Sequence, residues 1–382
     1  MLYRKMPRVG EEFSVLGFGC MRLPVRNGQV DEAAASRMMR TAIDKGINYV
    51  DTAWPYHGGQ GEAIVGRLLE GGLRDKVTLA TKLPSWLVRT RGDMDTFLEK
   101  QLVSLQTDHI DVYLLHSLTA DRWENLMRLD ALGFMEKARA AGKIRYIAFS
   151  FHDGLDCFKK IVDAYPWDLC QIQYNLLDEN YQAGREGLRY ASGKGIGVVV
   201  MEPLKGGNIT IPMPGELGAA AKKAGYSRST LADIALRWVW NHPEVGLLLS
   251  GMSSEEQMDQ NIESAARGRP NSLTPEELAF VKAARDLYEG KMRVPCTACA
   301  YCKPCPKSVD IPQCFSNLNN AAISGNWEAQ KANYLYILAD DRDGNRASAC
   351  VECGLCETRC PQHIPIREKL KEVAAAFETS AA

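Results

Sequence analysis

The fold class predicted is a parallel (β/α)8 barrel followed by a small, mainly helical, cysteine-rich domain, and three features of the chain point to it. Short β-rich runs alternate with amphipathic stretches about eight times within the first 285 residues. Cysteine density then jumps, with eight of the twelve cysteines in two tight runs beyond residue 290. The Gly-x-Gly-x-x-Gly that marks an open, doubly wound sheet is missing after the first strand, where Gly17-Phe-Gly19 continues as Cys-Met-Arg. A barrel of this kind occupies about 250 residues. The expected domains are therefore 1–285 and 286–382.

The strands are expected at 15–19, 48–51, 77–82, 110–116, 144–150, 169–173, 197–201 and 246–250. Runs such as Asp111-Val-Tyr-Leu-Leu and Gly197-Val-Val-Val-Met are apolar almost throughout, as a parallel sheet buried on both faces requires. Helical periodicity falls between them, at 33–45, 93–106, 131–141, 155–164 and 229–240. The segment 273–288 opens Leu-Thr-Pro-Glu-Glu and reads as a capped helix joining the two domains.

Bulk composition excludes several classes. The 382 residues leave room for two domains, and a hydrophobic content of 46% with a net charge of −1 is that of an ordinary globular chain. There is no basic excess to grip nucleic acid, and no apolar run reaches the roughly 18 residues of a membrane span. The chain opens Met1-Leu-Tyr-Arg-Lys-Met-Pro, without a charged-then-apolar leader, and its remaining cysteines are scattered. A reducing, cytoplasmic setting is expected.

The first cysteine run is Cys296-Thr-Ala-Cys299-Ala-Tyr-Cys302-Lys-Pro-Cys305-Pro306, and the second is Cys350-Val-Glu-Cys353-Gly-Leu-Cys356-Glu-Thr-Arg-Cys360-Pro361. Three thiolates at three-residue steps can surround one corner of an iron–sulfur cube, while a fourth, before proline, reaches a second cube. The second run has the bacterial ferredoxin spacing; the first is one residue short before its last cysteine. Disulfides suit small secreted chains, and zinc sites of four thiolates need paired Cys-x-x-Cys arms, so two [4Fe–4S] clusters fit better. The crossing rule assigns Cys296, Cys299, Cys302 and Cys360 to one cluster and Cys305, Cys350, Cys353 and Cys356 to the other. Cys314 reads as a buried thiol, although a swapped ligand is the alternative; Cys157 and Cys170 read as core.

In a (β/α)8 barrel, chemistry gathers where the strands end. The second strand ends at Asp51, followed by Thr-Ala-Trp-Pro-Tyr56; the third ends at Lys82 and the fourth at His116. A charged lysine beside a tyrosine lowers the cost of ionising its phenol, and an aspartate keeps that lysine oriented and charged. Such a tyrosine can protonate a developing alkoxide while a histidine positions the carbonyl oxygen. Each residue alone reads more simply, as a solvated charge or a structural histidine. Their convergence at consecutive strand ends favours catalysis.

At these residues the chain resembles the aldo-keto reductases, over about residues 1–270. The resemblance implies a barrel that passes hydride between NADP or NAD and a small carbonyl or alcohol substrate. It implies Tyr56 as general acid, Asp51 and Lys82 tuning it, and His116 orienting the substrate. Cys20 and Met21, in Gly17-Phe-Gly-Cys-Met-Arg-Leu-Pro, would touch the nicotinamide, as would Asp51, Ser150, Gln173, Met201 and Leu204. The segment Ser250-Gly-Met-Ser-Ser-Glu-Glu-Gln-Met-Asp-Gln-Asn261 would hold the adenosine end through Ser250, Gly251, Met252, Ser253, Gln257, Gln260 and Asn261.

Three departures from the family pattern stand out. Met201 occupies the place where many members stack an aromatic ring on the nicotinamide; a thioether packs there without stacking. Phe151 follows Ser150 where many carry asparagine. The 250–261 segment holds no Lys or Arg to grip a 2′-phosphate, which leaves NADP against NAD open. Trp54, Trp86, Leu118 and Trp123 are candidate pocket walls or ordinary packing residues, and Arg22 is a candidate contact for an anionic substrate. His152 lies at a strand end with no assigned role.

Between the cysteine runs lie about 44 residues with helical patterning at 311–322 and 327–339, and a further helix is expected at 366–377. The tail resembles the helical two-cluster ferredoxin modules appended to anaerobic oxidoreductases. Nicotinamides move two electrons as hydride and a [4Fe–4S] cluster moves one, yet no flavin motif is evident to convert between them. Three functions follow: a carbonyl reductase whose clusters serve electron transfer, redox sensing or stability; a ferredoxin-linked reductase subunit feeding an electron-transfer protein; or a regulatory module that senses nicotinamide redox state.

Overall fold

The structure is a computed structural model that describes residues 1–210, 212–296, 298, 301–338, 345–360 and 362–378. Eight parallel strands close into a barrel: β1 (Leu16–Gly19), β2 (Tyr49–Asp51), β3 (Thr78–Leu83), β4 (Ile110–Leu118), β5 (Ile144–Phe151), β6 (Leu169–Gln173), β7 (Gly197–Met201) and β8 (Leu247–Ser250). Each strand pairs with its neighbour in sequence, and β8 returns to β1 with Leu248 opposite Leu16. The expected (β/α)8 class is the observed one. Strand ends differ from expectation most at β4, which runs on to Leu118. The β4–β5 ladder shifts register between Leu115 and Leu118, and Ser117 takes a left-handed φ of 54°. This bulge lets pairing resume beyond His116.

The period-two alternation of the strands builds the barrel interior. Tyr49, Ala80, Val112, Leu114, Ala148, Leu169, Val199, Leu247 and Leu249 form one buried cluster, plugged from below by Met6 and Phe13. The plug belongs to a hairpin, Tyr3–Lys5 with Glu12–Ser14, which was not anticipated from the sequence. Arg4 beside it donates to the carbonyls of Trp240, His242, Val245 and Gly268. Burial pushes its guanidinium down to about 10.

Outer helices follow the expected runs at Glu32–Asp44, Arg91–Leu105, Ala131–Ala140, Leu155–Ala164 and Ala232–Trp240. Local capping fixes their starts. Asp31 accepts from the Ala34 amide, and Thr90 with Asp93 makes a reciprocal capping box. Helices at Gly61–Leu68, Ala120–Arg128 and Gly184–Gly193 were not anticipated. They are short, of eight to ten residues, and glycine-bearing or strongly charged.

The described chain forms two compact units. The first comprises Met1–Glu179, Ala183–Leu204 and Ala232–Thr274; the second comprises Asn180–Gln182, Lys205–Leu231 and Pro275–Ala382. The expected boundary at residue 285 falls inside the helix Pro275–Glu289, which lies wholly in the second unit. That unit's core joins Ile311–Ser324, Trp327–Ile337 and Ile366–Phe377 through Phe315, Leu318, Tyr334, Leu370, Val373 and Phe377. Tyr334 is fully buried, and its hydroxyl accepts from the Ala347 amide at 2.9 Å and donates to Glu378. The Asn319 side chain clasps Val294 through both its amide and its carbonyl. Within the described residues no helix is long and apolar enough to cross a membrane.

Candidate active site

Alternation along the strands determines which side chains meet at the barrel mouth. Asp51 lies two residues past Tyr49, Lys82 two past Ala80, and His116 two past Leu114; each of those predecessors belongs to the interior cluster. The same step from Ala148, Leu169 and Val199 reaches Ser150, Gln171 and Met201. Six strands thus contribute one layer of polar and thioether groups above the apolar interior.

Asp51 and Lys82 are the centre of this layer. Lys82 Nζ donates to both Asp51 carboxylate oxygens at 2.8 Å and to the Thr52 carbonyl at 2.7 Å. Burial raises the Asp51 carboxyl above its ordinary range, and Lys82 pulls it back down. Behind Lys82, Gln101 donates to the Lys82 carbonyl at 3.0 Å and to buried Glu62 at 2.5 Å, while Tyr113 donates to Gln101 at 2.6 Å. Lys82 is thereby held from both sides.

Tyr56 hangs over this pair, with Lys82 Nζ 5.4 Å from its ring centroid. It sits in a tight turn in which His57, Gly58 and Gly59 all have positive φ, at 52°, 64° and 87°. His57 Nε2 donates to the Cys20 carbonyl at 2.7 Å, tying the turn to the end of β1. A Cβ at Gly61 would lie 2.8 Å from Tyr56 Cβ, so only glycine leaves the ring its place. Burial pushes the phenol well above its ordinary 10.0, and Asp51, Cys20 and Glu202 push the same way. Burial is the largest of these influences and keeps the hydroxyl in its protonated form.

His116 is neutral for the same reason. Burial, then Lys82, His152 and Arg122, hold its imidazole well below 6.5. Its ring lies 5.1 Å from that of Trp86, and its Nδ1 is buried with no hydrogen-bond partner among the described residues. Arg122 lies over the other part of this wall, 5.6 Å from the Trp86 centroid, and donates to the Ser117 carbonyl at 2.7 Å. A buried ring nitrogen without a partner among the described residues can serve a carbonyl oxygen as a hydrogen-bond donor.

In the second unit no disulfide joins the described cysteines of the two runs, and Cys299 lies outside the described residues. Two cavities separate them. One, about 350 Å³ including its open mouth, is lined by Cys302, Cys305, Cys350, Cys353 and Cys356; the other, about 330 Å³ on the same measure, is lined by Cys296, Cys302 and Cys360. The two loops share one device. The Ala298 amide donates to Cys296 Sγ and the Glu352 amide to Cys350 Sγ, both at 3.4 Å, and both donor residues have left-handed φ. Amides aimed at sulfur stabilise thiolate charge, so the donor set fits iron–sulfur ligation. Cys314 is fully buried in its helix, lines neither cavity, and burial pushes its thiol up.

Comparison with known proteins decides the family. The model of the aldo/keto reductase family matches residues 15–285, more than half of the chain, and that of the 4Fe-4S dicluster domain matches residues 295–365. The chain belongs to the aldo/keto reductase family. It is 27% identical to the L-galactose dehydrogenase of Arabidopsis thaliana, over 73% of this chain and 93% of that protein. It is 26% identical to the NADH-specific methylglyoxal reductase of Escherichia coli, over 63% and 85%. Among solved structures, aldo-keto reductase AKR11C1 from Bacillus halodurans in its holo form superposes with a TM-score of 0.61 and 28% identity, covering 74% of this chain and 95% of that one.

Within this aldo/keto reductase barrel, the residues expected at the nucleotide fall into distinct environments. Cys20 is fully buried and Met21 is 56% exposed. Ser150 Oγ accepts from the Ser117 amide at 2.6 Å, and Asn261 donates to Ser250 Oγ at 3.0 Å. Ser253 Oγ donates to the Arg22 carbonyl at 3.1 Å, while Gln257 receives the Ser253 amide at 2.9 Å. Gln260 donates to Glu256, Gly251 is exposed, Met252 is buried and Leu204 is half-buried. Gln173, expected at the nucleotide, donates instead to buried Asp178 at 2.9 Å. Gln171, not anticipated from the sequence, is 2% exposed in register with Ser150; it donates weakly to Met201 Sδ at 3.4 Å and its Oε1 has no partner among the described residues. No residue pattern within β6 alone separates it from Gln173. Of the expected pocket walls, Trp86 faces His116, whereas Trp54 packs edge-on against Phe97 and Trp123 against Trp167. Leu118 is fully buried.

Proposed function

We propose that this protein is a nicotinamide-dependent oxidoreductase that interconverts a small carbonyl compound and its alcohol, and that its tail carries two [4Fe–4S] clusters. The observation that carries the first part is the placement of Tyr56 over the sealed Lys82–Asp51 pair, with burial favouring the uncharged forms of its phenol and of the His116 imidazole. The nucleotide, when bound, supplies or accepts the hydride. Tyr56 gives its hydroxyl proton to the substrate oxygen as that oxygen gains charge, and Lys82 stabilises the phenolate that remains. Buried Asp51 keeps the Lys82 ammonium aimed at the ring. His116, held neutral, donates a hydrogen bond to the same oxygen and fixes the face of the carbonyl. Gln171 and Ser150, side by side on β6 and β5, suit the carboxamide of the nicotinamide, because Gln171 still has an acceptor to satisfy.

For the tail, the two cavities and their matching N–H···S contacts support ligation by Cys296, Cys299, Cys302 and Cys360 at one site and by Cys305, Cys350, Cys353 and Cys356 at the other. Bound clusters supply one-electron chemistry. The domain limits of 1–285 and 286–382 are kept as the functional division.

The deciding experiment incubates anaerobically purified protein with a panel of aldehydes and ketones and either NADH or NADPH. Oxidation of one nucleotide that falls at least a hundredfold with Tyr56→Phe supports the reading. Turnover that survives both Tyr56→Phe and Lys82→Met overturns it.

A further inference from the structure

We propose that the two iron–sulfur sites are unequal in potential, with the site of Cys305, Cys350, Cys353 and Cys356 the more easily reduced, and that Arg367 sets the difference. This rests on the reading that both cavities hold clusters. Adding an electron makes a cluster more negative, so a nearby positive charge and access to solvent both favour the reduced form.

Among the described residues, only one of the two cavities has these features. Arg367 lines the cavity of Cys350 and Cys353, whereas the described lining of the other, with Phe315, Gln362 and Ile364 beside its cysteines, carries no charged side chain. The guanidinium lies across the ligand loop itself: a Cβ placed on Gly354, between Cys353 and Cys356, would lie 3.7 Å from Arg367 Cζ. Gly354 has φ 76°, a conformation that leaves that face of the loop open to the arginine.

Arg367 is anchored there by Glu357, which it meets through Nε at 3.1 Å, Nη2 at 2.8 Å and its own backbone amide at 2.9 Å. Arg367 lines the cavity and Glu357 does not, although the Glu357 carboxylate also acts on Cys356, so the pair turns its cationic end to the cavity. Lys371 and Glu352, the other nearby pair, meet each other at 2.8 Å and largely cancel. Exposure acts in the same direction. Cys353 is exposed, and Val351 and Leu355 on either side of it are 56% and 45% exposed. The cysteines described at the other site are all partly buried.

The test uses the full chain, purified without oxygen and carrying its iron. Redox titration followed by electron paramagnetic resonance is run on the wild type, Arg367→Gln and Arg367→Lys. Two waves are expected in the wild type. Arg367→Gln leaves Glu357 uncompensated beside the loop and lowers the upper wave alone, by a tenfold fall in its reduction equilibrium, about 59 mV for one electron. Arg367→Lys keeps the charge and holds that wave near its original position, which separates charge from packing. The proposal is overturned if the lower wave moves instead, if both shift together, or if neither moves. Iron well below about eight atoms per chain overturns the two-cluster reading itself, and this proposal with it.

Discussion

Lys82 and Asp51 form an ion pair sealed inside the barrel, with the ammonium 2.8 Å from each carboxylate oxygen and the two side chains 1% and 3% exposed. Breaking such a pair from one side leaves a buried charge without its partner, which costs about 3–5 kcal/mol. Lys82→Met is therefore expected to shift the urea midpoint strongly downward. The double variant Lys82→Met with Asp51→Asn removes both charges and is expected to recover at least half of that loss while remaining inactive. Denaturation curves and turnover measured on the same samples separate the pair's structural part from its catalytic part. A double variant no more stable than Lys82→Met alone would show that the cost lies in packing.

Tyr56 gives a pH signature. Burial, aided by Asp51, holds its phenol well above 10.0, so it carries its proton throughout the neutral range. The rate of carbonyl reduction is expected to stay flat from pH 7 to about 10, with no alkaline limb from this group. A limb centred near pH 8 that disappears in Tyr56→Phe would mean that Lys82 lowers the phenol after all.

The barrel was legible because eight apolar strands, each buried on both faces, leave a signal that survives without any partner in view. Asp51, Lys82 and His116 were legible for a related reason: they close those strands as the sequence predicts them, although β3 and β4 run on to Leu83 and Leu118, and strand ends are where a barrel gathers its polar groups. Gln171 was not legible by the same rule, because β6 continues two residues past the layer to which it belongs. Which of two glutamines on one face ends in the mouth depends on the stagger between strands, a property of closure and not of any single strand. That Tyr56 gives a proton was legible, but the size of its desolvation was not, since it depends on Cys20, Asp51 and Glu202, which sequence spacing does not bring together.

Gln171 and Gln173 share a face of β6 but do different work. Gln173 donates to buried Asp178, and Asn175 donates to the same carboxylate oxygen at 2.9 Å. Gln173→Leu is expected to cost about 1–3 kcal/mol of stability through the carboxylate it abandons. Gln171→Leu removes a group whose Oε1 has no partner, so the fold is expected to tolerate it. Its loss should instead weaken nicotinamide nucleotide binding about tenfold, the equivalent of one neutral hydrogen bond of about 1.4 kcal/mol. Fluorescence titration with NADH and NADPH checks the second outcome, and the first is read from melting curves.

Acid stability should report on the buried histidines. Burial lowers both His116 and His242 below the ordinary 6.5. Below pH 6.5 the unfolded chain takes up protons that the folded barrel refuses, so ν_U exceeds ν_N and stability rises with pH. Cast the other way, the contribution is intact above about 6.5 and is lost progressively as the pH falls toward the lowered folded values. Urea midpoints are expected to drop between pH 7.5 and 5.5. His116→Gln, which cannot titrate, should flatten that slope; an unchanged slope would remove His116 from the account.

Cys302 and Cys314 lie on either side of the question of which thiols hold iron. Cys302 lines both cavities, at the point where the two sites come closest to sharing a wall, and it is only partly buried. Cys314 is fully enclosed, with Sγ 4.0 Å from the Tyr334 hydroxyl, and burial raises its thiol far from the thiolate form that binds metal. Cys314→Ala is expected to keep the full iron content and the visible absorbance of the wild type, losing only packing stability of about 1 kcal/mol. Cys302→Ala should lose about half of the iron or more, because a missing ligand empties its own site and loosens the wall of the other. Iron analysis of both variants, with melting curves to confirm folding, gives the answer directly. Were Cys314→Ala to lose iron while Cys302→Ala kept it, the swapped ligand set considered for Cys314 would replace the one assigned to Cys302.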